Sequence, residues 1–200
     1  MSLDWVFVAL AVAALVAWYL SYTAARLDRL HARVEGSLSA LDAQLVRRAE
    51  ATLELANSGA LDPASALLLA GAASDALEAS DERYAGREAI ESDLTEALAA
   101  ALTPDVVASL DAHRARATDG DATASEPADD TQPVGAAALG RVLAAGQRVQ
   151  LARRFHNDAV TDVRRIRRKA VVRLLRLAGH AELPRTVDFD DVLPGAPPPA

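Results

Sequence analysis

Hydrophobic residues along the chain form one long apolar run followed by stripes at helical spacing. Residues 5–25 carry no charged side chain, and a helix of that length spans about 30 Å, the hydrocarbon thickness of a bilayer. Apolar or small residues then recur every three or four positions, the period of an amphipathic helix. They are Leu27, Leu30, Val34, Leu38, Leu41, Leu45, Ala49, Thr52 and Ala56. The pattern predicts a transmembrane helix that continues, with no proline to interrupt it, into an amphipathic helix ending near residue 57.

Capping signals divide the next part of the chain into three shorter helices. Asp62 and Pro63 are a cap and first-turn pair for a helix over about 63–83. A further helical stretch follows a break at residues 84–86, and Thr103 with Pro104 begins a helix that ends near residue 117. Residues 118–133 have few large apolar side chains and are rich in acids and proline, which predicts a disordered loop.

The last predicted helix, over 136–178, has the most regular apolar stripe. Gly179 is placed to terminate it, and Pro184 follows. The stripe consists of Val149, Ala152, Phe155, Ala159, Val163, Ile166, Ala170, Leu174 and Leu177. Two long helices that each bury one stripe need partners, which the shorter helices between them supply.

The predicted fold class is therefore all-α, an N-terminal transmembrane helix followed by an antiparallel helical bundle with long amphipathic helices. Alanine is abundant and aromatic residues make up only 4% of the chain, a composition that favours closely packed helices over sheets. The predicted organisation is an anchor over 1–25, a first helical part over 26–117, an acidic disordered loop over 118–134, a long helix with its cap over 135–186 and a mobile tail over 187–200, in which Phe189 can dock on the bundle.

The charges that flank the apolar run predict its orientation. Asp4 precedes the run, whereas Arg26, Arg29 and Arg33 follow it. By the positive-inside rule, the N-terminus lies outside and the bulk of the chain lies in the cytoplasm. Lysine occurs once among 21 basic residues and alanine is frequent, a coding bias typical of a GC-rich genome. The predicted location is a bacterial plasma membrane.

A basic segment lies near the end of the last predicted helix. It contains Arg164, Arg165, Arg167, Arg168, Lys169, Arg173 and Arg176. One interpretation places this segment against the acidic middle of the chain or in solvent. The other is a surface that faces anionic lipid. Nucleic-acid binding is not predicted, because aromatic residues do not alternate with the charges, which surround the helix instead of forming one stripe.

The stretch LARRFHNDAV, residues 151–160, has the residue types of an active site without their convergence. On a helical wheel His156 lies on the apolar arc, while Arg154, Asn157 and Asp158 lie on the flank or the opposite face. The chain has no GxSxG, GxxxxGK[ST] or GxGxxG motif, its four histidines show no i,i+4 pairing, and cysteine is absent. We predict no enzyme, cofactor, metal or small-molecule substrate, and keep an enzyme centred on His156 as the minor alternative.

Three segments resemble the LemA family. LDAQLVRR (41–48) resembles its I-D-V-Q-L-K-R-R element, ARRFHNDAV (152–160) resembles its A-R-x-x-Y-N-x-A-V element, and LAGHAELPRTVDFDD (177–191) is similar to its ending. The order after a membrane span also agrees. The motif residues are Leu41, Asp42, Gln44, Leu45, Arg47, Arg48, Arg153, Arg154, His156, Asn157, Asp158, Ala159 and Val160.

The resemblance implies a membrane-anchored helical bundle of unassigned activity, with no catalytic residues to carry over. It further implies that the polar residues of the first motif lie near those of the second on antiparallel neighbouring helices, where their contacts would fix register. The chain departs from the family after Arg48, where AEATLELAN replaces a D-L-I-P-N-L-V type stretch, and at His156, where the family has tyrosine.

These observations predict a membrane-anchored, non-enzymatic scaffold or interaction module. Its expected partners are membrane lipid and either another protein or a second copy, because a long helix with an alanine stripe offers a coiled-coil surface. The alternative function is binding of anionic lipid through the basic segment 164–176.

Overall fold

The computed structural model describes residues 3–79, 86–119, 131–174 and 182–194. Throughout these ranges the regular secondary structure is helical, which confirms the predicted all-α class. The helices are α1 (Leu3–Ala56), α2 (Pro63–Glu78), α3 (Arg87–Ala101), α4 (Pro104–Asp119), α5 (Thr131–Arg167) and α6 (Ala170–Leu174). Residues 182–193 form no helix or strand.

Helix α1 confirms the predicted continuity of the apolar run and the amphipathic stripe. It passes through Gly36 without a break. Beyond the apolar run, stripe positions such as Leu27, Leu41, Leu45 and Ala49 are buried. Tertiary burial of this stripe is what stabilises so long a helix, since the propensity of its residues alone would not.

The chain divides into two compact units. Unit 1 comprises Met1–Ser39 and Phe155–Thr186, and unit 2 comprises Ala40–Arg154 and Val187–Ala200. In unit 1 the stripes of α1 and of the last helical region face each other. Val34 packs with Ala159, Val160 and Val163, whereas the earlier Leu27 packs with Ile166 and Val172. The two elements therefore run antiparallel, since earlier residues of α1 meet later residues of the partner.

The core of unit 2 is built from small and branched aliphatic side chains on five helices. Alanines occupy many of its buried positions, as the composition predicts, and they allow the helix backbones to approach closely. Its larger buried members are Leu55, Leu69, Leu94, Leu98, Leu102, Leu110, Leu139 and Val142.

Helix α2 begins at the predicted cap. Asp62 adopts the extended cap conformation, its carboxylate accepts from the Ala64 and Ser65 backbone N–H groups, and Pro63 occupies the first turn. Hydrogen bonds from Ser65 and from the Ala64 N–H hold the pKa of Asp62 below its ordinary value. The cap is therefore strongest above that ordinary pKa and weakens as acid protonates the carboxylate.

Two glycines in unit 2 should respond in opposite directions to replacement by alanine. Gly71 has open space where a Cβ would lie, whereas a Cβ on Gly135 would overlap the Ala60 side chain. We expect Gly71→Ala to raise the free energy of unfolding by about 0.5–1 kcal/mol through helix propensity. Gly135→Ala should instead lower it, because overpacking costs about 1–3 kcal/mol. Urea unfolding followed by circular dichroism measures both, and stabilisation by Gly135→Ala would contradict this packing.

The predicted last helix is wrong in its extent. Helix α5 ends at Arg167, and the short α6 begins at Ala170 after a turn in which the Lys169 N–H donates to Ile166 O. Basic residues lie three and four positions apart through this stretch, so their repulsion disfavours a continued helix. Residues 175–181, which include Arg176 and Gly179, are outside the described part of the chain.

The predicted loop and tail also have different limits. Helices α4 and α5 extend into both ends of the predicted acidic loop, to Asp119 and from Thr131, and residues 120–130 lie outside the described residues. The tail predicted to be mobile from residue 187 is instead packed at its start, where Val187, Phe189 and Asp191 are buried. Burial of the Phe189 ring and the ion pairs of Arg153 with Asp188 and Asp191 order this part of the chain. Residues 195–200 lie outside the described part.

Candidate functional site

A buried arginine on α1 organises the polar centre of unit 2. Arg48 is only 2% exposed. Its Nη2 donates to Glu91 Oε2 at 2.7 Å and to Glu91 O at 2.9 Å, and its Nη1 donates to Thr95 Oγ1 at 3.1 Å. Glu91 and Thr95 lie four residues apart on α3 and so share one face. The planar guanidinium thereby joins α1 to α3 through side-chain and backbone acceptors.

A second arginine neutralises the remaining acid charge of this cluster. Arg87 is buried at the start of α3, with Nη1 3.5 Å from Asp42 Oδ1 and Nε 3.6 Å from Glu91 Oε1. At these distances the attraction is mainly between charges rather than through short hydrogen bonds. The buried Arg48 and Arg87 therefore face the buried carboxylate of Glu91 and the half-exposed carboxylate of Asp42, which compensates the buried charges.

The C-terminal segment, here residues 187–194, docks on this cluster through an aromatic ring. Phe189 is buried, and the guanidinium carbons of Arg48 and Arg153 lie 5.9 Å and 5.4 Å from its ring centroid. Arg153 also donates from Nε and Nη2 to the two carboxylate oxygens of Asp191, both at 2.9 Å. Arg153 thus binds a carboxylate through two of its nitrogens while its guanidinium lies over the aromatic ring.

Side chains of α3 and α5 hold the backbone of the same segment. Along one face of α3, Glu88 Oε1 accepts from Asp188 N at 2.8 Å, Ser92 Oγ accepts from Asp190 N at 3.1 Å, and Thr95 Oγ1 donates to Asp190 O at 2.6 Å. From α5, Gln150 Nε2 donates to Asp191 O at 2.7 Å. The absence of a side chain at Gly146 leaves room for Leu193. The segment is therefore held by hydrogen bonds between its backbone and side chains of α3 and α5, together with the close approach of Leu193 to Gly146.

The polar residues of the motif at 41–48 were expected to lie near those of the motif at 152–160, and the two motifs meet through a third segment. Arg48 and Arg153, one from each motif, contact the same Phe189 ring, but the described bonds of Arg48 go to α3 and those of Arg153 go to Asp191. Asp42 pairs with Arg87, and Arg47 is exposed. Leu41, Leu45, Ala159 and Val160 are core residues of their units. Gln44 is half-buried, and Arg154 and Asp158 are exposed.

Sequence reasoning missed Glu91, Thr95 and Arg87. Glu91 precedes Leu94 by three positions and Leu98 by seven, which places it on the apolar stripe of α3. Arg48 likewise lies between Leu45 and Thr52 on the stripe of α1. A charged residue at a stripe position of each of two helices is the signal that could have indicated a buried ion pair.

His156 is buried in unit 1 with both ring nitrogens near protein oxygens. Its Nδ1 lies 3.1 Å from Ser37 Oγ, and its Nε2 lies 3.3 Å from Arg185 O. The Ser37 hydroxyl donates to Val34 O at 2.8 Å, which leaves its oxygen to accept from the ring. His156 therefore joins α1 to residues that follow α6, and a neutral ring donates to one of these acceptors at a time.

The basic segment divides into residues with internal partners and exposed ones. Arg164 Nε donates to Pro184 O at 3.0 Å, Arg167 Nη1 donates to Glu182 O at 2.8 Å, and exposed Arg165 lies 3.8 Å from Asp162. Arg168, Lys169 and Arg173 are exposed. Arg164 and Arg167, two of the residues predicted to face lipid, therefore hold the backbone of residues 182–184.

The described part of each unit contains a cavity or groove. In unit 1, a cavity of about 150 Å³ lies between α1 and the turn before α6, with Tyr22, Arg26 and Lys169 among its lining. In unit 2, a groove of about 540 Å³ between α2 and α3 is lined by Leu67, Leu68 and Ile90, with acidic residues also in its lining. His156 lines neither cavity.

Comparison with known proteins finds no matching family model, curated protein or solved structure. Within the described ranges, no three histidine, aspartate or glutamate side chains are grouped as metal ligands would be.

Proposed function

We propose that this protein is a single-pass membrane protein whose helical units act as a non-enzymatic interaction module. One observation supports the membrane anchor most directly. Helix α1 contains an apolar window long enough to cross a membrane, and none of that window is buried within the protein. Trp5, Phe7, Leu15 and Trp18 are each more than 60% exposed. So large an apolar surface is stable in a bilayer and costly in water.

The continuation of α1 supports a retained anchor. The apolar window passes without a break into the part of the helix that carries buried Leu27, Val34 and Leu41. Cleavage after the apolar run would cut within one continuous helix. We propose a plasma membrane location with the bulk of the chain in the cytoplasm, because Asp4 precedes the window and Arg26, Arg29 and Arg33 follow it.

Engagement of the polar groups supports an interaction role rather than catalysis. Arg48, Glu91, Arg153 and Asp191 bind one another or the C-terminal segment, and His156 contacts Ser37 and Arg185 O. A catalytic group needs an accessible position beside its substrate. These groups instead position segments of the chain.

The contact around Phe189 supports a relationship to the LemA family. Arg48 comes from the first resembling motif, Arg153 from the second, and Phe189 from the ending that is similar to the family's. Three segments distant in sequence therefore meet at one ring. We propose that this contact is the reason for the shared residues, which stabilise the fold instead of reacting.

The orientation can be tested because the chain has no cysteine. Ala108→Cys, at an exposed position of α4, and Ser2→Cys are made separately in the full chain. In spheroplasts of a bacterial host, a membrane-impermeant thiol reagent should label Ser2→Cys directly and Ala108→Cys only after permeabilisation. The reverse pattern would contradict the orientation, and release of the protein by alkaline carbonate would contradict the anchor.

A second candidate function is recognition of anionic lipid by the basic segment. It is favoured by the exposure of Arg168, Lys169 and Arg173, next to the cavity that Lys169 shares with Arg26. Each cation near an anionic membrane surface contributes about 1 kcal/mol of attraction.

A further inference from the structure

The cavity in unit 1 has a lining suited to an anion at a membrane surface. Arg26 of α1 and Lys169 of the turn before α6 bring two cations to its lining, which also includes Tyr19, Tyr22 and the buried apolar side chains of Ile166 and Val172. Its volume is about 150 Å³, more than a single water molecule requires. We propose that this cavity binds the phosphodiester group of an anionic phospholipid. This inference rests on the proposed membrane anchor.

The two cations are available to a ligand. No ion pair of Arg26 or Lys169 with a carboxylate occurs among the described residues, and none of the described residues that line the cavity is acidic. Arg164 and Arg167 differ, since each donates to a backbone carbonyl. The Thr23 hydroxyl is already used, because it donates to Tyr19 O at 2.8 Å. Arginine and lysine together therefore provide the uncompensated positive charge that a phosphodiester requires.

The position of the cavity along α1 matches the level of lipid phosphates. From Asp4 to Tyr22 the helix rises about 27 Å, close to the hydrocarbon thickness of a bilayer. The cavity begins at Tyr19 and ends at Arg26 on this helix, so it lies where the apolar run gives way to charge. Trp18 and Tyr22, with ring centroids 6.5 Å apart, are exposed at the same level. Aromatic residues favour this interface.

Lipid is favoured over a soluble phosphate as the source of the anion. The exposed apolar surface of α1 continues directly from the cavity and would contact the acyl chains of a lipid whose phosphate is bound. A soluble phosphate would gain nothing from that surface. Binding of headgroup and chains together adds apolar contact to charge attraction, the combination that gives stable membrane association.

The test uses Trp18 as the reporter in the full chain reconstituted into lipid vesicles. Trp5→Phe leaves Trp18 as the only tryptophan, since the chain has two. Its fluorescence is measured with acyl chains brominated on either phosphatidylglycerol or phosphatidylcholine in otherwise identical mixtures. Bromine quenches nearby tryptophan, so the ratio of quenching reports the preference for anionic lipid. We expect about a fivefold preference, the effect of one cation fully engaged at an anionic surface.

Matched variants separate the cavity from general surface charge. Arg26→Gln with Lys169→Gln should bring the preference close to equality. Arg29→Gln with Arg33→Gln removes the same charge from exposed positions one and two turns further along α1, outside the basic segment, and should leave most of the preference. Arg26→Lys keeps the charge and should keep the preference. Equal losses in the two double variants would overturn the proposal, as would full preference in the cavity variant.

Results that contradict the proposed membrane anchor can be distinguished from results that contradict the proposed phospholipid site. Extraction of the wild-type chain from vesicles by alkaline carbonate would contradict the anchor itself. Stable insertion without any preference for brominated phosphatidylglycerol would contradict the cavity alone. Loss of the preference on addition of millimolar inorganic phosphate would assign the site to a soluble phosphate and overturn the lipid source.

Discussion

Arg48→Met is expected to lower the free energy of unfolding by about 3 kcal/mol, because it leaves the Glu91 carboxylate buried without its closest cation. Both side chains are at most 2% exposed and their atoms approach to 2.7 Å. The remaining cation, Arg87, lies 3.6 Å from the other oxygen of Glu91 and compensates only part of the charge. Urea unfolding of the full chain in detergent, followed by circular dichroism, measures the change.

The exposed pair of Arg141 and Glu54 is the matched control. Its atoms also approach to 2.7 Å, but its side chains are 49% and 51% exposed. Arg141→Met should therefore cost less than about 1 kcal/mol, because water solvates the freed carboxylate. The double variant Arg48→Met with Glu91→Met removes both buried charges and should cost less than Arg48→Met alone. Equal effects of Arg48→Met and Arg141→Met would show that burial of the pair does not determine its importance.

Phe189→Ala is expected to lower the free energy of unfolding by about 3 kcal/mol and to release the C-terminal segment. The ring is buried and lies beside two guanidinium groups, so its removal leaves a cavity and two arginines without their aromatic contact. Hydrogen exchange provides the second measurement. The Asp188 and Asp190 amides, which donate to side chains of α3, should lose their protection.

Two other substitutions isolate the causes of this effect. Phe189→Leu keeps most of the apolar burial and loses the cation–π contacts, so its cost should be about 1–2 kcal/mol. Phe155→Ala removes a ring that is 55% exposed and should have a small effect. Unchanged amide protection in Phe189→Ala would mean that Arg153 and Asp191 hold the segment without the ring.

The helices could largely be predicted from sequence because their signals are local. The apolar run, the continued stripe of α1, the Asp62 cap and the start of α4 at Pro104 all depend on neighbouring residues in the chain. The C-terminal limit of α5 was predicted less well. Its apolar stripe continues past Arg167, but repulsion among the arginines and their bonds to the carbonyls of residues 182 and 184 favour a turn.

The polar centre of unit 2 required the tertiary structure. The motifs indicated that Arg48 and Arg153 are important, but their partners are distant along the chain. Glu91 and Phe189 lie 43 and 141 positions after Arg48, and Phe189 and Asp191 lie 36 and 38 positions after Arg153. Periodicity identifies the face on which each residue lies. It does not identify which faces meet, because that choice depends on the summed packing and charge compensation of all the helices.

The sequence by itself determined that this protein is helical and carries a helix able to span a membrane, because helix propensity, capping and the length of an apolar run are properties of contiguous residues. The tertiary structure alone decided which charged residues are buried, that residues 187–194 bind to α3 and α5, and that Arg26 and Lys169 share a cavity. These features depend on residues brought together from distant parts of the chain, and burial changes the energy of a charge far more than its neighbours in sequence do.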